Sequence, residues 1–119
     1  MDKVNLAENV SLFNEYWKPK IVGEVNNFHV KLAKFQGEFV WHHHEHEDEL
    51  FLVIEGRLRM RLRERDILLG PGEFLVVPHG VEHCPVAEDE CHVLLLEPKT
   101  TLNTGNVTNA RTVPKLDQI

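Results

Sequence analysis

Histidines cluster near the middle of this chain, and imidazole is among the commonest metal ligands in proteins. Four of the eight lie within five positions, and an acidic run follows at once: His42, His43, His44 and His46, then Glu47, Asp48 and Glu49. In an extended segment, side chains alternate between two faces, so His42, His44 and His46 share one face. Two imidazoles on one face can hold one ion, and Glu49 can add a carboxylate oxygen after a short turn. The spacing predicts a divalent metal site.

The alternative is an accidental metal-binding tract, similar to an expression tag. Tags lie at chain termini, whereas these histidines lie inside a mostly apolar segment, Phe39 to Gly56. This position favours a built site. Within it, His43 should face away from the metal. His46 could replace His42 or His44 only through a shift in register.

Length, composition and charge limit the function classes. The chain has 119 residues, enough for one compact domain and not two. Its 42% hydrophobic and 27% charged content is typical of a folded globular protein. The formal net charge of −6 argues against nucleic acid as a partner, because an acidic surface gains nothing from a phosphate backbone.

Membrane and export signals are not expected. No apolar run approaches the roughly 20 residues that a membrane span needs. The N-terminus, MDKVNLAENV, has no apolar core of a secretory signal. Cys84 and Cys91 are too few for a disulfide framework, so we expect free thiols and a cytoplasmic location.

The first 19 residues are predicted to form a helical segment. Asn5 can cap a helix over residues 5–16, with Glu8 three positions later as in a capping box. An apolar stripe follows at helical spacing: Leu6, Val10, Phe13 and Trp17. Pro19 should stop the helix.

Short strands are predicted from there to residue 98. The predicted strands cover residues 21–25, 28–35, 57–63, 67–69, 74–77 and 91–97, and the strand at 74–77 is expected to be buried. Breaks or turns are predicted between them at 26–27, 36–37, 64–66, 70–72 and 88–90. Strict alternation in 57–63 places its leucines and methionine inward and its arginines outward. Closely spaced short strands without helical crossovers indicate an all-β sandwich or barrel over residues 20–98. Residues 99–119 form a polar tail that could lie over a pocket mouth.

A second segment can complete the metal site. Residues 72–83 read GEFLVVPHGVEH, a strand ended by a proline–glycine turn that can present His83. With His42, His44 and Glu49, this residue would give three imidazoles and one carboxylate. His79 and His92 are candidates for groups that support the ligands or face a substrate; no catalytic residue can be named.

These two segments resemble the two motifs of the cupin superfamily. The first motif is matched by Gly37, His42, His44, Glu49 and Gly56, and the second by Gly72, Pro78, Gly80 and His83, with Ala87 where the family has asparagine. The resemblance covers about residues 28–98. Among cupins, the chain looks most like the small single-domain, type 2 conserved-barrel proteins often labelled mannose-6-phosphate isomerase-like, a label that does not identify a substrate.

The resemblance implies a double-stranded β-helix, or jelly-roll barrel, with a short N-terminal helix and a metal inside the barrel mouth. One divalent ion is implied, and imidazole with carboxylate suits Fe, Mn, Ni, Zn or Cu. A homodimer is also implied, with the arginine-rich strand or the N-terminal segment as possible contacts. Two classes of function follow: a metalloenzyme with isomerase- or dioxygenase-type chemistry on a sugar, keto acid or enediol, or a non-catalytic binding or sensing module with a structural metal.

Overall fold

Seven strands in antiparallel pairings and one short helix make up the regular structure of the computed structural model, which describes residues 1–119. The elements are α1 (Leu6–Val10), β1 (Lys20–Val25), β2 (Phe28–Glu38), β3 (Glu49–Glu55), β4 (Leu58–Leu62), β5 (Asp66–Leu69), β6 (Phe74–Val77) and β7 (His83–Pro98). The predicted all-β class with a short N-terminal helix is confirmed. No helix has the length and apolar character needed to cross a membrane.

The strands form the two layers of a jelly-roll barrel. One layer has the order β1-β2-β7-β3-β6, and the β4–β5 hairpin pairs with the first part of β7. β7 therefore runs through both layers, pairing with β4 near its start and with β2 and β3 towards its end. The core lies between the layers, and its fully buried members include Val53, Leu58, Met60, Cys91 and Val93.

The alternation predicted for β4 is confirmed. Leu58 and Met60 are fully buried, while Arg59 between them is exposed. The arginines pair with partly exposed carboxylates; Arg59 Nη1, for example, lies 3.2 Å from Asp66 Oδ2. Such surface pairs contribute little to stability, and this row lies on the exposed face of the strand.

The predicted turn at residues 88–90 and the strand break at residues 36–37 are wrong. Phe35 pairs with Cys91 and Gly37 pairs with Ala87, so residues 88–90 bulge out opposite Gln36 within a continuous pairing. Both strands continue past this point because a bulge takes up extra residues without ending the ladder.

The N-terminal helix is shorter than predicted. It ends at Val10, and Asn5 caps it by accepting a hydrogen bond from the Glu8 amide at 3.0 Å. Val10 and Phe13 pack on the outer face of the large layer, whereas Trp17 packs in the barrel core against Phe35. One straight helix cannot place its stripe on both surfaces, so the chain leaves the helix early, and Pro19 has no role in stopping it.

The prediction of a buried strand at residues 74–77 is also wrong. Val77 is buried, but Phe74 and Val76 are 62% and 46% exposed. β6 pairs only with β3 at the edge of the layer, so one of its faces has no covering element.

The C-terminal segment is ordered along the barrel without forming a helix or strand. Its last residues pair with β1, where the Ile119 amide donates to the Ile21 carbonyl at 3.0 Å. Residues 101–113, here called the strap, cross the barrel mouth and bury Thr101 and Thr104. The sequence gives no periodic pattern here because the segment is held by side-chain and turn hydrogen bonds.

Candidate metal centre

Two separate segments meet directly at the barrel mouth. The His42 amide donates to the His83 carbonyl at 3.1 Å, and the His83 amide donates to the His42 carbonyl at 2.9 Å. Apart from this bridge, the histidine segment is irregular, and β3 begins only at Glu49. The pairing of His42 with His83 fixes the distance between the two motif segments.

Four side chains converge behind this bridge. His42, His44, Glu49 and His83 each offer one ligand atom, and these atoms all lie within 4.8 Å of one another. All four residues are buried, the most exposed being Glu49 at 4%. The structure thus brings together every residue that the sequence assigned to the metal shell.

Main-chain carbonyls orient two of the imidazoles. His42 Nδ1 lies 2.9 Å from the Val40 carbonyl, and His83 Nδ1 lies 2.9 Å from the Val81 carbonyl. A carbonyl can only accept, so in both rings Nδ1 carries the proton and Nε2 keeps its lone pair. Such an outer acceptor is the usual way in which a metal-binding histidine is held in place.

The cluster contains buried polar atoms without hydrogen-bond partners. They are both ring nitrogens of His44, Oε1 of Glu49 and Nε2 of His83. Glu49 Oε1 lies 2.8 Å from His44 Nε2 and 3.3 Å from His83 Nε2, but neither contact has the geometry of a hydrogen bond. Each such atom costs on the order of 1–3 kcal/mol unless something satisfies it. A divalent cation would be coordinated by lone pairs of this kind, and the nitrogen and oxygen donors suit Zn, Fe, Mn, Ni or Cu. The residues therefore fit a metal ion.

The electrostatics favour ligands without protons. Burial, and then the neighbouring His83, lower the pKa of His42 to about 4. Burial by itself acts to raise the pKa of Glu49, but contacts with Glu97, His44 and His83 hold it well below the usual value. A neutral imidazole and an ionised carboxylate are the forms that bind metals.

Glu97 and Lys31 form a buried pair behind Glu49. Lys31 Nζ donates to Glu97 Oε1 at 2.6 Å, and both side chains are 2% exposed. Burial and then the negative Glu49 raise the pKa of Glu97 well above its usual value. Of the two neighbouring carboxyls, Glu97 is therefore the one whose pKa is raised and Glu49 the one whose pKa is lowered.

The other histidines named from the sequence lie outside the cluster. His43 contacts Glu45, His46 is exposed, and His79 pairs with Asp48 at 2.8 Å on the surface. His92 lies between Glu90 and Glu55. The structure gives none of these four a place beside the cluster.

The cysteines are free and buried. Burial, and then Glu38, raise the pKa of Cys84 to about 11, and burial raises that of Cys91 to about 11. Neither is a member of the cluster.

Sequence reasoning missed Lys31 and Glu97. The signal for them was strand alternation, which places Lys31 on the same face as Ala33 and Glu97 on the same face as Leu95. Both of these apolar residues are buried. The strap was missed because its contacts are long-range.

A small cavity adjoins the cluster. Its volume is about 30 Å³, close to that of one water molecule. The lining is mostly aromatic and aliphatic, with a few polar groups: Trp17, Phe35, Phe39, Phe51 and Leu95, with His42, Glu49, Glu97 and Asn103. The buried cluster thus lies beside a mostly apolar wall.

Known proteins share this architecture. The family model described as Cupin domain matches residues 28–97. The uncharacterized protein YdbB of Bacillus subtilis (strain 168) is 41% identical over 63 residues, which are 52% of this chain and only 56% of YdbB.

Two solved structures are similar over most of their length. A cupin-2 domain-containing protein from Shewanella frigidimarina NCIMB 400 has a TM-score of 0.80 and 45% identity, covering 81% of this chain and 94% of that one. Protein NMB1881 from Neisseria meningitidis has a TM-score of 0.75 and 29% identity, covering 82% and 100% respectively. The family match spans nearly the whole barrel and contains all four residues of the cluster, and this chain belongs to the cupin family.

Proposed function

We propose that this cupin is a metalloenzyme in which His42, His44, Glu49 and His83 hold one divalent ion. Its substrate is a small oxygen-bearing molecule, such as a sugar, keto acid or enediol, and the reaction is of isomerase or dioxygenase type. The observation that carries the proposal is the convergence of buried, partnerless nitrogen and oxygen atoms within 4.8 Å. The label mannose-6-phosphate isomerase-like stays a prediction.

The donor set determines what the chain can do with the ion. Three neutral imidazoles and one carboxylate leave a divalent ion with a net charge of +1, and an octahedral ion keeps two positions for a chelating substrate. The ion supplies Lewis acidity and orientation there. The main-chain carbonyls of Val40 and Val81 hold two rings in their binding tautomers, and Glu97 faces the carboxylate of Glu49.

The second candidate is a non-catalytic binding or sensing protein with a structural metal. The small cavity favours it, since about 30 Å³ leaves no room for a substrate. Elemental analysis of protein purified without added metal should find close to one divalent ion per chain. The double variant His42→Ala/His44→Ala should lose that content, and the control His79→Ala should keep it. Full metal occupancy in the double variant would contradict the ligand assignment.

Activity then separates the two candidates. Oxygen consumption by the iron-loaded protein with a panel of small acids, diols and sugars indicates dioxygenase chemistry, and isomer formation without oxygen uptake indicates an isomerase. Thermal shifts without turnover across the panel favour the sensor. A cytoplasmic location remains a prediction and is consistent with two free thiols.

We also propose a homodimer, formed through the outer face of the large layer. Cross-strand pairing produces two apolar rows on this face. One row is Val30, Leu96, Leu50 and Val76, and the other is Leu32, Leu94, Leu52 and Phe74. The N-terminal segment covers the Leu32 end, while Phe74 and Val76 stay exposed. An uncharged face in a chain of net charge −6 suits a second copy, because it avoids repulsion between like charges.

Sedimentation equilibrium tests this interface. Phe74→Glu should shift the protein to monomer, because it places a charge within the proposed apolar contact. Leu68→Glu is the matched control, since Leu68 is 64% exposed on β5, outside the two rows. A wild-type monomer, or equal dissociation by both variants, would rule out this face.

A further inference from the structure

Three charged side chains meet on the inner face of three neighbouring strands, β2, β7 and β3. Glu49 is the first residue of β3, and the register that pairs Leu50 with Leu96 sets it opposite Glu97 of β7. Lys31 lies on β2, on the other side of β7, and its Nζ donates to Glu97 Oε1 at 2.6 Å. Glu97 therefore stands between the lysine and the carboxylate of the cluster.

This arrangement has a cost that apolar side chains would avoid. Lys31, Glu49 and Glu97 are all buried, and Glu97 Oε2 has no hydrogen-bond partner. Like charges directly opposite each other on a sheet are destabilising. A buried ion pair is often no more stabilising than apolar side chains of the same volume. A contribution to folding therefore does not account for the pair of Lys31 and Glu97.

The Glu49 carboxylate lacks the kind of anchor that two of the imidazoles have. Main-chain carbonyls hold the rings of His42 and His83, whereas Glu49 Oε1 has no hydrogen bond. From outside the cluster, Glu97 contacts the Glu49 carboxyl, and Lys31 fixes Glu97. A metal ligand is placed well only when the residues around it are themselves held by packing and hydrogen bonds. The pair is thus the anchor that the main chain does not supply to Glu49.

We propose that Lys31 and Glu97 are positioning residues that hold the Glu49 carboxylate in the orientation that binds the metal ion. Lys31 acts through Glu97, because its ammonium group contacts Glu97 and it is not a member of the cluster. The inference rests on the proposed function, since it requires a metal ion at the cluster, and it adds two residues beyond the four ligands. The position of the Glu97 head group, rather than its charge, is what the site requires.

Zn(II) affinity, measured by competition with a chelating dye, tests position against charge. Glu97→Gln keeps the length and the polar head group but removes the charge, and its affinity should stay close to that of the wild type. Glu97→Asp keeps the charge but withdraws the head group by one methylene, and its affinity should fall about tenfold to a hundredfold. The reverse order would overturn the proposal, because loss of a negative charge near a cation weakens binding if charge decides.

Replacement of the whole pair separates positioning from a structural role. Lys31→Met/Glu97→Leu places apolar side chains of similar size in the barrel, a change that proteins with buried ion pairs often tolerate. The variant should unfold at a urea concentration near that of the wild type, yet bind Zn(II) about tenfold to a hundredfold more weakly. Lys34→Met is the matched control, since Lys34 is also a buried lysine of β2 but donates to the Phe13 carbonyl. An equal loss of affinity in the control would contradict the assignment.

The visible absorption of the Co(II)-loaded protein adds a readout that a merely structural role would not move, because it reports coordination geometry. The bands should change in Glu97→Asp and in the double variant, and should match the wild type in Glu97→Gln and Lys34→Met. Wild-type affinity and spectrum in the double variant would overturn the inference and leave the proposed function intact. If the double variant does not fold, the comparison of Glu97→Asp with Glu97→Gln decides. If the wild-type protein takes up no Zn(II), the proposed function fails and the inference fails with it.

Discussion

The apolar core and the histidine cluster are buried to a similar degree but differ in how their atoms are satisfied. Met60 and Val93 are fully buried among other apolar side chains. His44 and His83 are as deeply buried, yet three of their ring nitrogens have no partner. A fold gains stability from the first arrangement and loses it in the second. Burial without satisfaction therefore distinguishes the part of the barrel that could hold a metal ion.

Damage to the core should lower stability without affecting the metal. Met60→Ala removes a fully buried side chain and should cost about 2–5 kcal/mol in the free energy of unfolding. Urea unfolding measures the loss, and elemental analysis of the remaining folded protein should show unchanged metal per chain. A loss of metal in the folded fraction would mean that core and cluster are not separable.

Acid should destabilise the metal-free protein through His42. Its pKa is about 4 when folded and 6.5 in the unfolded chain, so between these pH values the unfolded state binds more protons. The contribution of neutral His42 to the free energy of unfolding is fully present above pH 6.5 and is lost as the pH drops towards 4. The loss is about 3 kcal/mol, at roughly 1.4 kcal/mol per pH unit. Urea unfolding at several pH values measures the slope, and His42→Gln should remove this part of it. Equal slopes in both proteins would show that His42 does not titrate in this way.

Replacing a partnerless histidine should sharpen the contrast between the two regions. His44→Leu deletes two ring nitrogens that lack hydrogen bonds, one of them 2.8 Å from Glu49 Oε1, and keeps an apolar side chain of similar size. Because the loss of the Glu49 contact offsets part of the gain, the metal-free protein should gain about 1 kcal/mol in the free energy of unfolding, and it should lose metal binding. Thermal unfolding in a chelating buffer, compared with His79→Leu at the surface, measures the gain. If the metal-free variant is less stable than the wild type, the histidine is better satisfied than its contacts indicate.

Spacing in the sequence predicted which residues meet, because the two motifs encode a local geometry. His42 and His44 precede β3, which begins at Glu49, and the proline–glycine turn lies directly before β7, which begins at His83. Each step depends on a few neighbouring residues, which is the range in which sequence patterns are informative.

Long-range features could not be predicted in the same way. The pairing of Lys31 with Glu97 depends on the register between β2 and β7, and the position of Gly105 over His43 depends on a tertiary contact. The helix prediction failed for a related reason, since packing on two surfaces outweighed the helical stripe through Trp17.

The bulge at residues 88–90 gives β7 a tolerance to changes in length. His83 precedes it and Glu97 follows it, and both must point inward although they lie in different layers of the barrel. A residue inserted at 93–95 would reverse every later side chain and turn the carboxyl of Glu97 outward. The same insertion among the exposed residues 88–90 would lengthen a segment that is already unpaired, and the side chains of His83 and Glu97 would still point inward. Natural or engineered insertions in this strand should therefore be accepted there first.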